Sequence, residues 1–177
     1  MNSILLKKEI LKDRSSSHRQ FLIEQINNSP DLYSHLIDYS FDKNQVLAFR
    51  ASWILDNVTE KYPTIISQPS HLHKIINKVV TLSNYSVIRA IVRLLTRINI
   101  PEKYLGTIVH QCFLWLEASQ TPIAVKVHCM QILLNAVKRQ PELKNELQMA
   151  IQTQLPFGSK GYKARGKRII EELDNIF

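Results

Sequence analysis

Arg89, Arg93 and Arg97 recur every four residues, a spacing that sets three guanidinium groups on one face of a helix. A row of this kind can track a phosphate backbone. Arg50 lies 39 residues before Arg89, and Arg165 holds the matching place in a later, weaker copy of the surrounding pattern. In the copy between them that place is His128, with Lys126 two residues earlier. A second concentration of charge runs from Pro156 to Arg168, with five basic side chains, no acid, two aromatics and three glycines. Serine and glycine ahead of a helix can present backbone N–H groups to an anion, and aromatics can stack on bases. The candidate basic face is therefore Arg50, Arg89, Arg93, Arg97, Lys126, Lys160, Lys163, Arg165 and Arg168. Both features have a plainer reading. Arginine at a repeated position pairs with an acid of a neighbouring helix, and a terminal helix keeps its outer side polar for solubility.

Other chemistry has no pattern to stand on. A helical pair of metal ligands needs a spacing of three or four, whereas His71 and His73 are two apart, as are His110 and Cys112. His128 and Cys129 are adjacent. No metal site and no cofactor is expected. There is no nucleophile elbow, phosphate-cradling glycine loop or glutamate–histidine metalloprotease motif. Glu171 and Glu172 read as solvated acids of a last helix, while Trp53, Phe113 and Trp115 sit among apolar helix residues and read as core. No catalytic residue is assigned.

The elements that carry these residues repeat. Val46–Pro63 (VLAFRASWILDNVTEKYP) aligns with Ala124–Pro141 (AVKVHCMQILLNAVKRQP) at an offset of 78. At half that offset lies Tyr85–Ile98 (YSVIRAIVRLLTRI), and Tyr162–Leu173 (YKARGKRIIEEL) is a fainter fourth copy. A period near 39 with two helices in each unit is the pattern of a helical solenoid. Apolar spacing and punctuation predict helices over Ser3–Lys12, Ser17–Ile26, Pro30–Tyr39, Asn44–Lys61, Ser70–Thr81, Ser83–Asn99, Pro101–Ala118, Pro122–Arg139 and Pro141–Gln154. A loop at Leu155–Gly161 then leads to a last helix ending near Asn175. Leu47, Ala51, Leu55, Val58, Leu94, Leu133 and Ile169 are the expected core.

Composition agrees with an all-α protein. Isoleucine and leucine supply 42 of 177 residues and glycine only four, which argues against barrels, sandwiches and glycine-rich nucleotide folds. The net charge of +8 favours acidic partners, nucleic acid among them. Between residues 85 and 168 thirteen basic side chains face four acidic ones. Cys112 and Cys129 lie in apolar helical runs and read as reduced core residues. Only three consecutive apolar residues precede the first charges, and no later run reaches the length of a membrane span, so a soluble cytoplasmic protein is expected. No serine- or glycine-rich linker divides the chain, and residues 1–177 are expected to form one domain.

The string Arg50-Ala51-Ser52-Trp53-Ile54-Leu55-Asp56-Asn57-Val58 resembles the second helix of a HEAT or armadillo repeat, and so does Ala124–Val137. With the 39-residue period the resemblance runs from about Pro30 to the C-terminus. It implies a right-handed α-α superhelix of four to five helix pairs, with second helices near 44–61, 83–99, 122–139 and 159–175 lining the inner curve. The function it implies is a non-enzymatic binding scaffold presenting a curved helical surface to a macromolecular partner, a protein first. Nucleic acid on a basic concave face is the alternative; neither a membrane nor a small-molecule cofactor is implied. The whole also resembles short bacterial HEAT-like proteins, some of which carry the label adenylosuccinate lyase. This chain lacks the glycine-, lysine- and asparagine-rich serine loop of such lyases: Ser15-Ser16-Ser17 reads as a helix start. More distantly it resembles the DNA alkylation repair glycosylases, whose aspartate and aromatic groups would here be Asp56 and Trp53. That third reading requires Asp56 to lie exposed in a groove beside an aromatic ring.

Overall fold

A computed structural model describes residues 1–176. They form ten α-helices: α1 (Ser3–Lys12), α2 (Ser16–Asn27), α3 (Pro30–Ser40), α4 (Gln45–Lys61), α5 (Pro69–Val79), α6 (Tyr85–Leu95), α7 (Glu102–Glu117), α8 (Ile123–Val137), α9 (Lys144–Gln154) and α10 (Lys160–Asp174). Short 3-10 segments, Pro63–Ser67 and Pro141–Leu143, precede α5 and α9, and no strand occurs among the described residues. No helix of the described residues is long and apolar enough to cross a membrane.

Local chemistry sets the helix starts. Asn2, Ser15, Asn44 and Ser159 each accept a backbone N–H of the first turn beyond them, satisfying donors that a helix leaves open. Pro30 and Pro69 occupy first turns, where the missing N–H is no loss. Pro101 and Pro122 sit one place earlier than expected, as N-caps. Two other expectations need correcting. The helix predicted from Pro141 begins as a 3-10 turn and becomes α-helical only at Lys144. The helix predicted over Ser83–Asn99 is shorter, Tyr85–Leu95. The residue after its end is Thr96, whose carbonyl accepts from the Asn135 side chain at 3.1 Å.

The chain divides into two compact units, the first Met1–Leu94 and the second beginning at Leu95. In the first, α3 packs along α4, α1 and α2 also lie against α4, and α5 meets α3. Tyr33, fully buried, bonds Thr59 Oγ1 through its hydroxyl at 2.8 Å, and its ring lies 4.9 Å from that of His71. In the second, α7 packs along α8, α10 covers α8, and α9 touches α7, α8 and α10. Cys112 and Cys129 are buried free thiols; burial, and then the neighbouring Cys129, push the Cys112 thiol up. All seven residues expected in the core are completely buried.

The 39-residue period reappears as hydrogen bonds between equivalent places of successive repeats. Arg50 reaches the Leu11 carbonyl, Lys74 reaches Ser34, Lys78 reaches Asp38 and Asn84 reaches Gln45 in the first unit. Asn135 to Thr96, Arg139 to Ile100 and Gln154 to Leu116 do the same in the second. Each pair is 38 to 40 residues apart. Long polar side chains thus tie one repeat to the previous one while the apolar faces pack.

Two stability predictions arise here. Asp38 accepts from Lys74 at 3.0 Å and Lys78 at 3.1 Å. Burial raises its carboxyl, the two ammonium groups more than offset this, and the net position is below the ordinary 3.8. A depressed carboxylate contributes stability above its unfolded value and loses it as pH falls through the folded one. Asp38→Asn is therefore less stable than wild type at neutral pH, and the deficit closes as pH falls below the ordinary carboxylate range. Urea midpoints measured from pH 7 downward check this; a deficit that stays constant to the acid limit counts against it.

Tyr162 is 1% exposed, its hydroxyl meets no bonding group among the described residues, and burial pushes the phenol up to about 12. An unmet buried hydroxyl costs about 1–3 kcal/mol. Tyr162→Phe is expected to keep or raise the melting temperature, and a clear fall would show that the hydroxyl is bonded in solution.

Candidate binding surface

The residues proposed for a basic face sit on α4 and α6 in the first unit, and just after α6 and on α8 and α10 in the second, and their surroundings differ. Arg50 Nη1 donates to the carbonyls of Leu11 at 2.6 Å and Ile10 at 3.3 Å, closing the open C-terminal turn of α1. Arg93 Nη1 lies 3.0 Å from Asp56 Oδ2, and its Nη2 is 3.3 Å from Glu60 Oε2. Arg89, one turn earlier, is exposed. Arg97 is exposed too, but it stands beyond the last residue of α6, so the three arginines do not share one continuous helix.

Asp56 is a buried acid, with 2% of its side chain exposed, and Arg93 holds it. Beside it, Phe49, Ser52, Trp53, Ser86 and Arg89 frame a cavity of about 60 Å³, a size for water molecules and not for a nucleobase. Trp53 is half-buried and carries the Arg19 guanidinium over its ring at 4.3 Å. The exposed aspartate that a glycosylase-like reading requires is not what the fold builds at this position.

In the second unit Lys126 is 4% exposed, and its ammonium donates to Gln154 Oε1 at 2.6 Å between α8 and α9. Burial lowers its pKa from the ordinary lysine value. It stands inside the unit and not on a face. Arg165 donates to Gln131 Oε1, Gln131 donates to Asn135 Oδ1 at 2.9 Å, and Asn135 donates to the Thr96 carbonyl, a polar chain that fixes the head of Arg165. Lys160 and Arg168 are exposed and Lys163 is half-buried, all on α10. Among the described residues no three His, Cys, Asp or Glu side chains converge as metal ligands.

Between the starts of α8 and α10 lies an open groove of about 720 Å³, lined by Thr96, Ile123, Ala124, Val127, His128, Gln131, Gly161 and Arg165. Of these only Arg165 was singled out as a binding residue from the sequence. The signal for the others is nonetheless present in α8, IAVKVHCMQILLNAV, which is apolar over most of its circumference, with His128, Gln131 and Asn135 as a narrow polar strip. A helix of that kind has more apolar surface than one packed face uses. Its second apolar face, at Ile123 and Val127, is what the groove displays.

A family model described as HEAT repeat domain matches residues 6–173 of the chain. Comparison with curated proteins and with solved structures gave no match.

Proposed function

The chain belongs to the HEAT repeat family, whose repeats generally mediate protein–protein contacts, and on that premise we propose that it is a non-enzymatic scaffold offering its second helices to a protein partner. The observation that carries this reading is the division of labour on those helices. Arg50 and Arg93 have their guanidinium groups engaged within the protein, Arg165 gives Nη2 to Gln131, and Lys126 is buried. What α8 and α10 leave open is an aliphatic groove. Phosphate-backbone binding calls for solvent-facing cations in a row, whereas protein partners are held by buried apolar contacts within a polar rim. No cofactor enters this reading.

The test is photo-crosslinking in cells with a benzophenone amino acid at Val46, Arg89 or Arg168 on second helices, and at Lys103 or Met149 on first helices as controls. The scaffold reading expects one protein to be captured repeatedly from the second-helix positions and not from the controls. It is overturned if the purified protein instead binds DNA or RNA with a log-linear salt dependence and no protein is captured. Release of alkylated bases from DNA by the wild-type protein would overturn its non-enzymatic part.

A further inference from the structure

The groove of the second unit combines three features. Its floor is aliphatic, from Ile123, Ala124 and Val127, with Ile123 38% exposed, and the ring among its lining residues is the imidazole of the half-buried His128. Its α10 rim is cationic. Arg165 lines it, Arg168 follows three residues later on the same helix face, and no acid occurs from Lys160 to Arg168. This charge runs against the helix dipole, which favours acids in the first turn and bases in the last; α10 has neither. An acidic ligand over this half of the helix offsets the arrangement.

The third feature is Gly161. A Cβ built there has only Ser159 Oγ within 4 Å, at 3.9 Å, and the backbone is helical. Neither packing nor φ requires glycine at this place, and glycine is less favourable than alanine in a helix. The contrast is with Gly166 of the same helix, where a Cβ would stand 2.9 Å from Ile151 Cγ2. A side chain at 161 would instead occupy the groove, and glycine is the residue that lets another backbone come close.

We propose that the groove between α8 and α10 docks an acidic segment of a partner protein that also carries leucine or isoleucine. Its aliphatic side chains lie on Ile123, Ala124 and Val127, its carboxylates face Arg165 and Arg168, and its backbone passes over Gly161. This rests on the scaffold reading and narrows it to one groove and one ligand chemistry.

Fluorescence anisotropy with three labelled peptides of equal length tests it: one of Glu and Leu, one with the same Glu but Ser for Leu, and one of Lys and Leu. The Glu–Leu peptide is expected to bind, the Glu–Ser peptide about tenfold or more weaker, and the Lys–Leu peptide not measurably. Ile123→Glu, Arg168→Glu and Gly161→Leu are each expected to weaken binding about tenfold or more, while Met149→Glu on α9 leaves it unchanged. Gly161→Leu separates docking from folding, because it should melt no lower than wild type and still lose the peptide. The proposal is overturned if Gly161→Leu melts normally and binds normally, if all three peptides bind alike, or if none binds. Photo-crosslinks to a partner that persist in Ile123→Glu and Gly161→Leu overturn the groove and leave the scaffold reading standing. Single-stranded DNA that binds more tightly than the Glu–Leu peptide, and is lost in Arg168→Glu, overturns both.

Discussion

Truncating Leu55 to alanine is expected to destabilise the first unit by about 2–5 kcal/mol, and Leu133→Ala to destabilise the second by a similar amount. The two leucines occupy equivalent places, 78 residues apart, on α4 and α8, and neither exposes any surface. Each substitution removes three carbon atoms from a closed environment, so the transfer loss and the cavity left behind add. In the first unit α1, α2 and α3 all pack against α4, which limits collapse into the space and favours the upper part of the range. The measurement is natural to this chain: Trp53 lies in the first unit and Trp115 in the second, and there is no third tryptophan. With Trp53→Phe or Trp115→Phe as background, urea unfolding by fluorescence reads each unit separately. An unchanged midpoint for both leucine variants would mean that the repeat register is wrong.

Arg93→Ala is expected to destabilise the protein by about 2–3 kcal/mol, whereas Arg89→Ala, one helical turn away, stays within about 0.5 kcal/mol of wild type. The difference lies in the partner. Arg93 faces the buried carboxylate of Asp56, and depriving a buried charge of its counter-ion costs about 3–5 kcal/mol when both groups are enclosed. Arg93 keeps 41% of its side chain exposed, so water screens part of that interaction and the expected value is lower. Arg89 is exposed and can be removed without opening a core. Equal losses for the two variants, by thermal or urea melts, would show that the Arg93–Asp56 contact has no special weight. A double-mutant cycle with Asp56→Ala then isolates the pair.

These two arginines mark where the reading of residues stops. Their four-residue spacing correctly makes them neighbours on one face of α6. Spacing says nothing of what faces that side, and there one guanidinium meets Asp56 while the other meets solvent. Arg50 looks like another rung of the same ladder, yet it closes the C-terminus of α1, a helix some forty residues upstream. Lys126 is instructive in the same way: a lysine on an amphipathic pattern is normally placed outside, and only the position of Gln154 on α9 makes its burial tolerable.

The fold class, the two-helix repeat, its 39-residue period and the seven core residues were all legible in the sequence. Apolar periodicity, caps and prolines act within a turn or two of themselves, so they can be read from neighbours in sequence. The division into two units, the end of α6 at Leu95, the burial of Asp56 and Lys126, and the opening of an apolar groove at Ile123 and Val127 were decided only in three dimensions. Each depends on which side chain arrives from 28 to 40 residues away, or on how much of a largely apolar helix its neighbours leave uncovered. Packing settles those choices, and a sequence pattern carries the faces of a helix without saying which of them will be covered.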